Sequence, residues 1–224
     1  MEFLNQLLFF DISILPFVLL VLLISFTIHE FAHAYVAYKF GDPTAKELGR
    51  VTLNPQAHLD FFGLIVFLLA GFGWAKPVPV NRQLFKKPRL MGVVVSAVGP
   101  LSNLLLACLG FFIMHLLNYF SMDTWMSTNS FDAIDTFFRS FIGINILLFV
   151  FNLIPLPPLD GYRIIEDLVP NNIRAKMSKF EPYSIYIFLL LVLIPQLRMV
   201  TIQPILDLQM DVHYILERFF AFIF

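Results

Sequence analysis

The chain has 224 residues and a net charge of −1, and 58% of its residues are hydrophobic while only 14% are charged. Soluble domains contain roughly 45–50% apolar residues, so this composition indicates an integral membrane protein. The few basic residues exclude a surface for a nucleic-acid backbone, and the single Cys108 excludes a disulfide framework or a cysteine-ligated zinc site.

Four apolar stretches are long enough to cross a bilayer, because a helix needs about 20 residues to span the hydrocarbon core. They cover residues 12–38, 91–117, 137–156 and 183–200. A fifth run, residues 59–75, is shorter, contains three glycines and is either a short span or a re-entrant segment. The sequence therefore predicts an all-α polytopic membrane protein with four to five transmembrane helices plus this short or re-entrant segment.

The charge of the connecting segments sets the orientation. Residues 39–60, 76–90 and 157–182 contain lysines and arginines, whereas residues 118–136 contain none. By the positive-inside rule the three basic segments face the cytoplasm. The N-terminus, which has Glu2 and Asp11 but no basic residue, is expected outside. Since both flanks of the run 59–75 are basic, a re-entrant path is favoured for it.

Two further segments have patterns of their own. The tail, residues 204–224, mixes charged residues with leucines and phenylalanines, which predicts a C-terminal helix in the membrane interface. Residues 77–81 read PVPVN, which predicts an extended segment because proline removes backbone donors. Such a segment is either an edge for pairing with a substrate peptide or a plain connector.

The first span contains the pattern H-E-x-x-H at His29, Glu30 and His33. Positions i and i+4 share one face of a helix, so both imidazoles can reach one Zn²⁺ while Glu30 stands beside the first of them. Zinc lowers the pKa of bound water toward about 7, and a carboxylate can take the proton during attack on a carbonyl. The alternative is that these side chains only bond to neighbouring helices, although an ionisable group at mid-bilayer costs roughly 2.5–3.5 kcal/mol.

A catalytic zinc usually has three protein ligands and one open position. The candidates for the third ligand are His58, Asp60, His115, Asp160 and His213. Asp160 follows the outside-to-inside span 137–156, so its depth matches that of the two histidines. Prolines in the preceding residues forbid regular helix and allow the carboxylate to turn inward. The alternative for Asp160 is a solvated turn after a helix.

Three motifs follow one another along the chain: HEFAH at 29–33, GPLSN at 99–103 and NLIPLPPLDG at 152–161. In this order they resemble the site-2 protease family of intramembrane zinc metalloproteases. The chain resembles the compact branch without PDZ or CBS domains. The resemblance implies that His29, His33 and Asp160 hold Zn²⁺ and that Glu30 activates water to cut a peptide bond in or near a substrate's transmembrane segment.

The expected organisation is a single intramembrane metalloprotease domain over residues 1–224, with a catalytic core at about 12–165 and a C-terminal span and tail at 183–224. The expected partners are a transmembrane protein or peptide substrate and the lipid bilayer, without nucleic acid. We expect a multi-pass protein of a prokaryotic cell membrane, acting in regulated intramembrane proteolysis, with its active site in the cytoplasmic half.

Asn103, Asn152 and His58 are candidates for binding substrate or stabilising the oxyanion. Each also has a structural explanation, since buried amides commonly bond between helices. Two alternative functions stay open at this point. One is an ion or proton transporter that uses the His/Glu cluster as a relay, although inverted repeats are missing. The other is a metalloprotease class with Glu166 as the third ligand.

Overall fold

The computed structural model describes residues 8–71 and 73–224, so Glu2 lies outside the described residues. Within them the protein is built from helices, with no β-strand, which confirms the all-α prediction. The helices are α1 (Leu15–Lys39), α2 (Thr44–Glu47), α3 (Phe61–Ala70), α4 (Pro88–Tyr119), α5 (Met122–Trp125), α6 (Thr128–Asn152), α7 (Asp160–Leu168), α8 (Asn171–Leu193), α9 (Pro195–Thr201) and α10 (Gln203–Ile223). Single 3₁₀ turns form at Pro55–Ala57 and Arg82–Leu84.

Three helices, α1, α4 and α6, are long and apolar enough to cross a membrane, which makes the protein multi-pass. They correspond to the first three predicted stretches and pack against one another. The main core cluster joins Val18 and Leu22 of α1 to Phe141 and Leu148 of α6. Small residues bring α4 close to α6, because a Cβ added at Gly110 would lie 2.7 Å from Ile142 Cγ1.

The fourth predicted stretch, residues 183–200, divides between two helices. Ile194 is extended (φ −87°, ψ 111°) and Pro195 opens α9, as expected because a proline disfavours helical backbone at the preceding residue. Among the described residues three helices, rather than four or five, therefore have the length and composition of a span.

The run 59–75 enters the bundle and returns. Asp60 caps α3 by accepting a hydrogen bond from Gly63 N at 2.8 Å, and α3 ends at Gly71 in the left-handed region (φ 75°). The chain then comes back, so that Lys76 N donates to His58 O at 2.8 Å. A ten-residue helix is about 15 Å long, roughly half the hydrocarbon thickness. The two ends of the run lie together, as the re-entrant path requires.

The tail is helical as predicted, but α10 lies lengthwise along α4 and α6 and not across them. Leu206 packs in one cluster with Phe151 near the end of α6, and Phe224 contacts Tyr119 at the opposite end of the bundle. Leu206 and Phe224 are 18 residues apart, about 27 Å of helix. Leu206 and Phe220 are the buried residues of α10, and they pack against side chains of α4 and α6.

Candidate metal centre

The helix α1 places the H-E-x-x-H side chains at the wall of an internal cavity. His29, Glu30 and His33 are all buried. One helical turn separates the histidines, so the Nε2 atoms of the two imidazoles lie 3.1 Å apart. The local geometry follows from the i, i+4 spacing on a regular helix.

Asp160 meets this pair from the other side of the cavity. Its Oδ2 atom lies 3.2 Å from the Nε2 atom of His29 and 3.2 Å from that of His33. The α6 helix ends at Asn152, and a non-helical connection carries the chain to Asp160, the first residue of α7. Gly161 permits this turn, because a Cβ there would lie 2.2 Å from Leu153 O. The structure thus brings together the three residues that the sequence analysis named as ligands.

Partners on α4 fix the Nδ1 atoms of the two imidazoles as donors. His29 Nδ1 donates to Asn103 Oδ1 and His33 Nδ1 donates to Val95 O, each at 2.7 Å. A neutral imidazole that donates from Nδ1 keeps a lone pair on Nε2. Outer partners of this kind fix the orientation of metal-binding histidines.

With both imidazoles neutral, the two Nε2 atoms and Asp160 Oδ2 are three acceptors that face one another. Asp160 Oδ2 is buried and has no hydrogen-bond partner. Such a group is repulsive unless a cation lies within it. Zn²⁺ binds imidazole nitrogen at about 2.0–2.1 Å in a tetrahedron, which places ligand atoms about 3.3–3.4 Å apart, close to the observed 3.1 and 3.2 Å. The residues present fit zinc.

Asn103 lies behind His29 and not in the lining of the cavity. Its Nδ2 donates to Asn145 Oδ1 at 3.0 Å, and Asn145 Nδ2 donates to Phe141 O at 2.8 Å. Both amides are fully buried. This geometry makes Asn103 a partner of the His29 imidazole. The sequence analysis missed Asn145, whose only signal was a polar side chain in an apolar span.

Gly99 explains how α4 comes so close to the imidazoles. A Cβ at this position would lie 2.2 Å from His33 Nε2 and 2.8 Å from His29 Cε1. The glycine of the GPLSN motif therefore makes room for the centre itself.

Glu30 is held by the segment that returns from α3. Val78 N donates to Glu30 Oε2 at 3.0 Å. Two side chains anchor the segment. Arg50 donates to Lys76 O and Pro77 O. Asp42 accepts a hydrogen bond from Asn81 N at 2.6 Å. It is non-helical and pairs with no strand in the described residues, which agrees with the predicted extended segment at 77–81. Glu30 thus has a fixed neighbour beside the three ligand atoms.

The cavity in front of the centre has a volume of about 770 Å³. This volume lies within the range of small-molecule and peptide sites, roughly 300–1,000 Å³. Apart from His29, Glu30, His33 and Asp160, its lining is mainly apolar and includes Phe26, Trp74, Val78, Leu148, Phe151 and Phe188. Asn152 also lines it, and its Nδ2 donates to Leu148 O at 2.9 Å.

His58 is separated from the cavity. It is fully buried, its Nε2 bonds to Thr52 O at 2.8 Å, and its carbonyl oxygen accepts a hydrogen bond from Lys76 N.

The remaining candidates for a third ligand also lie away from the metal centre. Asp60 caps α3, His115 bonds to Phe111 O, His213 packs on the Phe111 ring, and Glu166 pairs with arginines.

A cluster of buried ion pairs closes the far end of α7. Glu166 and Asp167 meet Arg82, Arg163 and Arg174 there. Burial raises the pKa of the Asp167 carboxyl, and the charges of Arg82 and Arg174 only partly oppose this rise. Burial also acts to raise the pKa of Glu166, but Arg163 and Arg82 outweigh it and leave that pKa below its usual value. The sequence analysis did not identify this cluster.

Sequence comparison assigns the chain to a family. The profile of Peptidase family M50 matches residues 17–130 and 116–195. The chain belongs to this family. It is therefore a zinc metallopeptidase, which confirms the predicted resemblance, the enzyme class and the cofactor, and favours peptidase over ion transporter.

The relatives carry matching names. The chain is 55% identical over 191 residues to "Putative zinc metalloprotease YwhC" of Bacillus subtilis (strain 168), covering 85% of this chain and 86% of that protein. It is 30% identical to "Putative zinc metalloprotease Rip2" of Mycolicibacterium smegmatis, covering 78% and 66%. The Mycobacterium tuberculosis (strain ATCC 25618 / H37Rv) protein of that name is 29% identical, with the same coverage. No solved structure matches the chain.

Proposed function

We propose that the protein is an intramembrane zinc endopeptidase that hydrolyses peptide bonds in or near transmembrane segments of membrane proteins. One observation carries the proposal: two imidazoles and a glutamate on a helix able to cross the membrane converge with Asp160 at the wall of a large apolar cavity. A hydrolytic centre at that place acts on chains that are themselves in the membrane.

We assign the ligand roles to His29, His33 and Asp160, and the general base to Glu30. When bound, Zn²⁺ acidifies a water molecule and polarises the carbonyl of the scissile bond. The bond from Val78 N fixes the Glu30 carboxylate beside the ligand atoms. From there Glu30 takes up the proton of the attacking water and passes it to the leaving amine.

The substrate in this proposal is an unwound segment, because an intact helix keeps its carbonyls bonded internally. Val78 of the extended segment lines the cavity next to Glu30, together with Trp74 just before that segment, which supports pairing with an extended peptide. Asn152 lines the same cavity and is our candidate for contact with the substrate or the oxyanion. The basic segments support a site in the cytoplasmic half of a prokaryotic cell membrane.

Metal analysis and membrane proteomics test this function. Purified protein is expected to hold about one zinc per chain, to lose it in the His33→Ala variant, and to keep it in Glu30→Gln. Membranes from cells with Glu30→Gln should accumulate uncut membrane proteins that cells with the native enzyme cleave. Identical membrane proteomes in the two strains would contradict the proposal, and so would a Glu30→Gln protein that still cleaves.

A further inference from the structure

Arg82 stands where the extended segment meets α7. It directly follows Asn81, the last residue of that segment, and it opens a 3₁₀ turn. Its guanidinium has three partners on two helices. Nη1 donates to Glu166 Oε2 at 3.0 Å, Nε lies 3.3 Å from Asp167 Oδ2, and Nη2 donates to Ser96 Oγ at 3.3 Å.

Each of these partners is tied to a ligand of the metal centre. Ser96 follows Val95, whose carbonyl accepts the hydrogen bond from His33 Nδ1. Glu166 and Asp167 end the nine-residue helix that begins with Asp160. A short helix moves as a unit, so a shift at Asp167 is transmitted over about 10 Å to Asp160.

The contact between α7 and α4 leaves little freedom. The Asp167 carboxylate lies against Gly92 of α4, where an added Cβ would be only 2.2 Å from Oδ2. The side chains of Glu166 and Asp167 are 5% and 1% exposed. A planar guanidinium can serve three acceptors in fixed directions, whereas the ammonium of lysine is a single point charge. Arg82 is therefore suited to hold both helices in one register.

We propose that Arg82 is a positioning residue of the metal centre, which locks α7 against α4 so that Asp160 meets His29 and His33. The inference rests on the proposed ligand roles of those three residues. Arg82 acts through other residues, since it contacts the carboxylates of α7 and the hydroxyl of α4 and none of the ligand atoms.

Arg174 provides a matched control within the same cluster. It approaches the same two carboxylates, with Nε 3.8 Å from Glu166 Oε1 and Nη2 3.3 Å from Asp167 Oδ1. In the described part of the chain, Arg174 forms ion pairs only with these two carboxylates. It does not line the cavity. A role limited to neutralising buried carboxylates would be shared by Arg82 and Arg174, whereas a positioning role belongs to Arg82 alone.

The test uses the full-length protein loaded with Zn²⁺ and measures the rate of zinc loss to a chromogenic chelator, together with the thermal midpoint. Arg82→Lys should release zinc about ten-fold faster than the native chain, in line with other changes to the surroundings of metal ligands. Ser96→Ala should accelerate release by a smaller factor, and Arg174→Lys should release at the native rate. With Co²⁺ in place of Zn²⁺, only Arg82→Lys and Ser96→Ala should change the visible absorption spectrum.

Equal release rates for Arg82→Lys, Ser96→Ala and the native chain would overturn the inference. It would also be overturned if Arg82→Lys and Arg174→Lys accelerated release equally and in step with a lower thermal midpoint. Should Arg82→Lys fail to fold, Ser96→Ala against Arg174→Lys decides on the same criteria. A native chain that binds no zinc would instead refute the proposed function.

Discussion

The two halves of α1 are held by different kinds of contact. In the N-terminal half, Val18, Leu22 and Phe26 pack into an apolar cluster with side chains of α3 and α6. In the C-terminal half, His29, Glu30 and His33 each bond to one specific group on another element. The same helix therefore combines packing that many side chains share with polar contacts that each depend on a single partner.

This difference predicts two kinds of sensitivity. An apolar cluster loses stability when a side chain shrinks, but its neighbours partly relax into the space. A buried polar group that loses its partner costs the full desolvation of that group and can turn to another orientation. Substitutions near the C-terminal half of α1 should change metal binding or chemistry, whereas those in its N-terminal half should change stability alone.

The largest effect is expected from Gly99→Ala. Its new Cβ would lie 2.2 Å from His33 Nε2, so the imidazole must leave the position that faces Asp160. We expect zinc content near background and no cleavage of the membrane proteins that accumulate with Glu30→Gln. Gly143→Ala is the control, because nothing lies within 4 Å of a Cβ added there. A Gly99→Ala protein with full zinc content would show that α4 can retreat without loss of the centre.

The next effect is expected from Gly63→Ala, which separates chemistry from metal binding. The added Cβ would lie 2.0 Å from the backbone oxygen of Trp74 and must displace the extended segment that donates to Glu30. Misplacement of a catalytic group by about 1 Å can cost about 100-fold in rate. We expect kcat/KM to fall by about that factor with zinc content unchanged. Loss of zinc in this variant would contradict the separation.

Asn103→Leu should have a smaller effect, confined to the metal. The His29 Nδ1–H group would lose its acceptor in a fully buried site, and outer partners of this kind are worth 10- to 100-fold in metal affinity, so we expect a loss of about that size. Competition with a chelator measures it. Asn118→Leu, an exposed amide near the end of the same helix, should leave zinc affinity unchanged. If both variants bound zinc like the native chain, Asn103 would not orient His29.

Local patterns predicted the two histidine ligands and the three spanning helices and named Asp160 among the candidates for the third ligand, and the family resemblance implied the complete set. The i, i+4 spacing places His29 and His33 on one face, and the polarity of the loops places Asp160 at their depth. The predicted ligands are brought together in the structure within 3.2 Å. The inferences from the residues needed only the helix period, the length of the apolar runs and the charge of the loops.

The rest depended on which elements become neighbours. Asn103 and Asn145 are 42 residues apart, and Arg82 is 84 residues from Glu166, so no local spacing pairs them. The contacts of α10 with α4 and α6 also could not be predicted, since an apolar face looks the same whether it meets a bilayer interface or other helices. His58 looked like a donor near the site, although its bonds to Thr52 and Lys76 stabilise the base of the re-entrant run.

The smallest effect on function is expected in the N-terminal half of α1. Leu22 is fully buried there, so Leu22→Ala should destabilise the fold by about 2–5 kcal/mol. Zinc affinity and kcat/KM should stay native, because the nearest ligand, His29, lies two helical turns away and keeps its partner on α4. Thermal unfolding and chelator competition measure the two quantities side by side. Leu20→Ala is the control, since that side chain is 49% exposed and should change neither quantity. A Leu22→Ala protein that lost zinc affinity while still folded would show that the two halves of α1 are coupled, and the contrast between them would fail.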